Sequence, residues 1–94
     1  MPRPKIHRHT RFNPDVYYFK PRGIPLRELE EVFLQADELE PLKLHDVDSY
    51  DHTTSAEKMK ISQPTFGRIL NSAYKKIAAA IIQGKAIKIE AKKQ

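Results

Sequence analysis

Ser62-Gln63-Pro64-Thr65-Phe66-Gly67-Arg68-Ile69-Leu70 opens the stretch whose reading decides the fold. Counted from Phe66, apolar residues recur at Phe66, Ile69, Leu70, Ala73, Ile77, Ala80 and Ile81, offsets of 0, 3, 4, 7, 11, 14 and 15. That is the period of one buried helical face. Ser62 or Gln63 stands where an N-cap side chain is wanted, Pro64 suits a first turn, and Gly84 can end the helix in the left-handed region. The spacing predicts one helix of about 20 residues, roughly 30 Å long.

Immediately upstream, Thr54 and Glu57 have the spacing of a capping box for a short helix ending near Lys60. Ala56 is small enough to let a second helix cross close by. Met59 and Ile61 flank the turn, and Phe66, Ile69 and Leu70 can lock the crossing. The pattern predicts a helix-turn-helix over about residues 52–70, although an ordinary helical hairpin has the same spacing. At the turn position where glycine commonly tolerates positive φ, this chain has Lys60, allowed at some cost.

With the apolar stripe inward, the opposite face of the long helix carries Gln63, Pro64, Gly67, Arg68, Asn71, Ser72 and Lys75. It suits a major groove: Gln63 can pair bidentately with adenine, Arg68 with guanine, and Gly67 removes a side chain where backbone approaches base edges. Asn71 is the fourth base-contacting candidate. Thr65, Ser72, Lys75 and Lys76 are candidates for phosphate contacts, which fix register rather than read sequence. No carboxylate occurs between Lys58 and Ile89. The alternative for Gly67 is close packing between helices.

Working outward, Leu26, Leu29, Val32 and Phe33 fall at helical offsets behind Pro25, with Glu28, Glu30 and Glu31 opposite, which predicts an amphipathic acidic helix over residues 26–33. A second helix is expected to start at Asp37 or Glu40 and run to about residue 46, with Pro41 disturbing it or opening it. Five of the seven prolines fall in the first 25 residues. That segment reads as a basic extended arm with one short strand at Val16-Tyr17-Tyr18-Phe19. Lys85-Ala86-Ile87-Lys88-Ile89-Glu90 alternates like a strand able to pair with it or with another chain. The expected organisation is thus an arm over 1–25, a helical domain over 26–84 containing the helix-turn-helix, and a short strand and basic tail over 85–94. Arg3 and Lys5, in the arm, are further phosphate candidates, since an extended basic arm can lie in a minor groove.

At 94 residues, net charge +5, the chain is sharply polarised. Residues 1–25 carry net +5, residues 26–51 net −7 and residues 52–94 net +7. A phosphate backbone is drawn to the two basic ends and repelled by the middle. There is no cysteine, hence no disulfide and no thiolate metal site, and a domain this size buries only about 60–65% of its extended-chain surface. His7, His9, His45 and His52 do not make a metal-ligand spacing and read as polar arm and turn residues, so no metal is expected. No run approaches the roughly 20 apolar residues of a bilayer span, and the first residues do not read as a signal peptide. Neither a nucleophile-base-orienter set nor a Gly-rich phosphate loop is present, so no enzyme activity and no cofactor are expected.

Three stretches then resemble a known family: Met1-Pro2-Arg3-Pro4-Lys5; Tyr18-Phe19-Lys20-Pro21-Arg22-Gly23-Ile24-Pro25-Leu26 with Asp37-Glu38-Leu39-Glu40; and Ile61 to Leu70 followed by Gly84 to Glu90. The chain resembles a small, largely uncharacterised prokaryotic family of predicted DNA-binding proteins whose helix-turn-helix is similar to region 4 of the primary sigma factors. The resemblance implies a mainly α fold of the winged-helix-like superfamily with an all-helical core, short extended strands at either end, and a transcription-related, non-enzymatic role. Departures from the family pattern fall on the supporting helices, at Lys60, at Pro41, and at His52-Thr53-Thr54-Ser55, where a Gln-Glu-Glu-Ala run is usual.

The expected partner is double-stranded DNA, for a cytoplasmic, nucleoid-associated protein with no membrane association. A homodimer is expected too, because a lone helix-turn-helix reads only a few base pairs; Ile77, Ile81, Ile82 and the strand from Ile87 to Ile89 are the candidate contacts. The competing readings are docking of a transcription-machinery protein on the acidic helix, and RNA binding through Tyr17, Tyr18 and Phe19, whose rings could stack on bases but are expected in the core.

Overall fold

The computed structural model describes residues 16–90. They run β1 (Val16–Phe19), a single 3-10 turn (Leu26–Glu28), β2 (Glu31–Gln35), α1 (Ala36–Pro41), a π-helical turn (Leu42–Val47), α2 (His52–Met59), α3 (Gln63–Gln83) and β3 (Ala86–Glu90). Arg3, Lys5, His7, His9 and the basic tail lie outside the described residues.

The long helix forms as its periodicity predicts. Of the two candidate N-caps Ser62 is the one used, Pro64 sits in the first turn, and Gly84 closes the helix at φ 69°, ψ 34°. Its neighbour α2 is capped three residues earlier than the Thr54–Glu57 spacing suggests. Asp51 Oδ1 accepts from the Thr54 N–H at 2.8 Å, and a carboxylate facing the positive end of a helix outcompetes a threonine hydroxyl. Asp51 is correspondingly held below the usual carboxylate range, first by that backbone hydrogen bond.

The acidic helix over residues 26–33 does not form. Leu26–Glu28 makes one 3-10 turn and Glu31–Gln35 is a strand. Leu26, Leu29, Val32 and Phe33 satisfy a helical spacing over only two turns, whereas Val32-Phe33-Leu34 is a β-branched and aromatic run whose backbone finds a partner in β3. β2 lies parallel to β3, with Val32 opposite Ile87 and Leu34 opposite Ile89, and the ladder is continued by the Ala86 N–H donating to the Glu30 carbonyl at 2.9 Å. The predicted pairing of the two end strands is present: β1 runs antiparallel to β3, with Tyr17 opposite Ile89 and Phe19 opposite Ile87. The sheet order is therefore β1-β3-β2. Because β3 is paired on both sides, its edges are not available to a second chain.

α1 begins before either expected start. Gln35 is the N-cap and forms a reciprocal capping box with Glu38. That leaves Pro41 inside the helix, where it has no N–H for the Asp37 carbonyl, and the chain widens at once into the π-helical turn, closed by the Asp48 N–H donating to the Lys43 carbonyl at 2.8 Å.

Helices and sheet share the core, which is not all-helical. Leu34 of β2, Ile89 of β3 and Ala73 of α3 form one buried cluster, with Tyr17, Leu39, Leu42, Ile77 and Ile87 packed against it. A second cluster joins Ala56, Phe66 and Leu70, with Leu42, Met59 and Ile61 around it. Leu42, in the π-helical turn, touches both. Of the three aromatics expected in the core, only Tyr17 packs against it; Tyr18 is 37% and Phe19 60% exposed. Tyr18 points to the other face of β1, and Phe19, on the same face as Tyr17, reaches past the core into a cleft beside Ala80, Ile81 and Gly84. Among the described residues no helix is long and apolar enough to cross a membrane.

Candidate nucleic-acid interface

The turn between α2 and α3 is built from residues that close two helix ends at once. Lys60 takes the left-handed conformation, φ 61°, ψ 42°, the region in which a Cβ crowds the following carbonyl at a cost of about 1–2 kcal/mol. In return the Lys60 N–H donates to the Glu57 carbonyl at 3.0 Å and the Ile61 N–H to the Ala56 carbonyl at 3.1 Å. Ser62 Oγ then accepts from the Thr65 N–H at 3.2 Å and donates to Thr65 Oγ1 at 3.0 Å. One turn on, Arg68 Nη2 donates to the same Thr65 oxygen at 3.3 Å. The guanidinium is thus braced on the start of α3.

Of the sequence-predicted plugs, Ala56, Met59, Ile61, Phe66 and Leu70 come together in one cluster, while Ile69 is half-buried. His52 sits against this cluster, its ring edge-on to Phe66 at 5.2 Å between centroids and to His45 at 4.6 Å. These two histidines, distant in sequence, are therefore packed side chains. His45 is also tied to the Tyr50 carbonyl at 2.8 Å from Nδ1. Among the described residues no group of three His, Asp or Glu is placed to hold a metal ion.

The candidate base-contacting residues share the outward side of the first half of α3: Gln63, Arg68 and Asn71 are exposed, as is Lys75. A shallow depression is lined by Arg68, Asn71, Ser72, Tyr74, Lys75 and Lys76, with three cations and no carboxylate among its walls. Among the described residues, a Cβ built on Gly67 would meet nothing within 4 Å, so close packing between the described helices is not what this glycine serves.

Ser72 and Lys76, though they line this depression, are held by groups from other elements. Ser72 Oγ donates to Glu38 Oε2 at 3.0 Å, and Lys76 Nζ donates to Glu38 Oε1 at 2.9 Å and to the Phe33 carbonyl at 2.8 Å. Thr65, likewise, is engaged by Ser62 and Arg68 within its own helix. Burial works to raise the Glu38 pKa, but hydrogen bonds from Lys76, the Gln35 backbone and Ser72 outweigh it and hold the carboxyl below its ordinary 4.5. Since the folded value is the lower one, the cluster contributes its full stability above that ordinary value and loses it as pH falls through the depressed one.

On the other flank, Tyr74 Oη lies 2.7 and 2.9 Å from the two Asp46 carboxylate oxygens. Burial and then that carboxylate push the phenol up to about 12. Neither Glu38 nor Tyr74 stands out in the sequence: each acts on a partner 28 to 38 residues away, and no local spacing marks such a pair.

A family model described as "Protein of unknown function DUF134" matches residues 1–93. The chain belongs to this family. Its relatives include a "UPF0251 protein" of Moorella thermoacetica, 52% identical over 96% of this chain and 60% of the relative. "UPF0251 protein TTE1845" of Caldanaerobacter subterraneus subsp. tengcongensis is 51% identical over 96% of this chain and 76% of the relative. "UPF0251 protein Teth39_0655" of Thermoanaerobacter pseudethanolicus is 48% identical over the same shares, 96% and 76%. The chain therefore spans about three fifths of the Moorella protein's length and about three quarters of the other two. No solved structure matches it.

Proposed function

We propose that this protein binds double-stranded DNA sequence-specifically and regulates transcription, in the cytoplasm at the nucleoid, a binding role rather than a catalytic one. The reading head is a helix-turn-helix, of the kind found in sigma region 4, made of α2, the turn at residues 60–62 and the first half of α3. The observation that carries the reading is Gly67. A glycine inside a helix costs about 1 kcal/mol relative to alanine, and no neighbour within the described chain needs the space. A bare stretch of helix, flanked by exposed Gln63, Arg68, Asn71 and Lys75, fits a surface that approaches base edges closely.

Gly67→Ala separates folding from binding. Thermal unfolding is expected to show the variant more stable by up to about 1 kcal/mol, while titration with a duplex shows binding weakened at least several-fold. A variant that gains stability and binds as well as the parent would remove this support. The wider test is selection of bound fragments from random duplex DNA, with affinity followed against salt and against a structured RNA competitor. Enrichment of a short motif is expected; unenriched binding, or preference for the RNA, contradicts the reading.

A homodimer completes it. Of the expected contacts, Ile77, Ile87 and Ile89 are engaged in the core, whereas Ile81 is 69% and Ile82 81% exposed near the end of α3, beside Phe19. Adjacent isoleucines this exposed are a surface that a second copy would cover, and a second copy supplies the second half-site. Sedimentation is expected to show a dimer that Ile82→Lys dissociates, with duplex affinity falling together with it; a monomer at high concentration, alone and on DNA, argues against the pairing.

A further inference from the structure

We propose that Glu38 is a positioning residue for the DNA-reading face: it braces α3 against rotation about its own axis and withdraws Ser72 and Lys76 from the phosphate backbone, leaving Lys75 as the phosphate-contacting lysine of this helix. The proposal rests on the duplex-DNA reading above.

Ser72 and Lys76 stand four residues apart, so they lie one above the other on a single helix face. Both are held by the same carboxylate. The ammonium lies 2.9 Å from each of the Glu38 oxygens and 2.8 Å from the Phe33 carbonyl. Of the three donors of the ammonium, one goes to Glu38 Oε1 and one to the Phe33 carbonyl, and Oε2 completes the ion pair. Glu38 is itself fixed, since Oε1 also accepts from the Gln35 N–H at 3.2 Å, and its side chain is only 13% exposed.

One acid at the β2–α1 junction thus grips α3 at two successive turns of one face. Two grips along a face add to the core packing of Phe66, Leu70 and Ala73 in resisting rotation of the cylinder. A roll of about 100° that brought Ser72 and Lys76 outward would carry Asn71 off the outward side and move Arg68 across it to where Gly67 now stands.

Lys75, the neighbour of Lys76 by sequence, points about 100° away and is exposed. For a polyanion the two lysines are therefore unlike. The charge of Lys76 is already matched by Glu38, so it releases no counterion from DNA on binding, whereas Lys75 does.

The test compares salt dependence and chemical access. Plotted as log affinity against log salt, Lys75→Ala is expected to flatten the slope by about one, as loss of one phosphate contact does. Lys76→Met should leave the slope as it was, and Glu38→Gln should lower the affinity ratio between a selected and a scrambled duplex without flattening it. In the unmutated protein, amine acylation read by mass spectrometry should modify Lys75 quickly in free protein and slowly on DNA, and Lys76 slowly in both. Flattening by Lys76→Met equal to that of Lys75→Ala, DNA-dependent protection of Lys76, or undiminished discrimination by Glu38→Gln would overturn the proposal. Failure of the unmutated protein to bind any duplex would instead sink the DNA reading, and the acylation rates in free protein would still decide whether Lys76 is tied down.

Discussion

A duplex carrying the selected site is expected to lose about 1–3 kcal/mol of discrimination when Arg68 is replaced by alanine, with the preference relaxed at one base position and retained at the others. The size of the effect follows from how the guanidinium is held. Ser62 caps α3 and fixes Thr65, and Thr65 Oγ1 in turn accepts from Arg68 at 3.3 Å. An arginine braced in this way loses less freedom when it pairs with a guanine edge than one waving in solvent, and its planar fork offers the bidentate geometry that lysine lacks. Arg68→Lys should therefore restore charge and general affinity without restoring the preference. Competition between the selected duplex and single-base variants measures both; an unchanged preference profile for Arg68→Ala would exclude this side chain as a reader.

The largest loss of stability is expected at Phe66. Its side chain is wholly buried, packed with Ala56 and Leu70 and covered at one edge by the His52 ring. Truncation to alanine should cost about 3–5 kcal/mol, transfer and cavity terms together. For a chain of this size the whole folding free energy is of the order of 5–14 kcal/mol, so the variant stands near the edge of folding. Urea unfolding is the measurement, and a midpoint unchanged from the parent would show that α2 and α3 do not depend on this contact. Because Phe66 joins the two helices, DNA binding should weaken in step with the loss.

What the sequence made legible is what local spacing controls. The run from Phe66 to Ile81 repeats over several turns, and α3 forms with the stop at Gly84 and one of the two N-caps expected. Lys60 occupies the turn position expected to need positive φ, and it has that conformation. Val32-Phe33-Leu34 misled because two turns of helical spacing cannot be told from a buried strand, and the deciding partner, β3, lies more than fifty residues downstream. The N-cap of α2 was misplaced because Asp51 and Thr54 both fit the position, and only the stronger acceptor wins. Of the candidate site, Gln63, Gly67, Arg68, Asn71 and Lys75 followed from one helical wheel. The same wheel puts Ser72 on the outer face and offers Lys76 beside it to phosphates, and nothing in it reveals that Glu38 reaches across to claim them.

The middle position of β3 has a consequence for how the chain is made. Synthesis delivers β1 first, β2 next and β3 last of the three, yet β3 is the strand that both others pair with. Until it leaves the ribosome, Tyr17, Val32 and Leu34 belong to a nascent chain whose two strand segments have no ladder to join, and closing the sheet must bring β3 to Glu31–Gln35 on one side and to Val16–Phe19 on the other, more than fifty residues away in each case. Such closures are slow because loop entropy is lost before any contact compensates for it. The pair α2 and α3, joined by a tight local turn, can form before it. The protein is thus expected to form this helical pair before its sheet closes, with the unpaired strands as the segments that most need shielding in between.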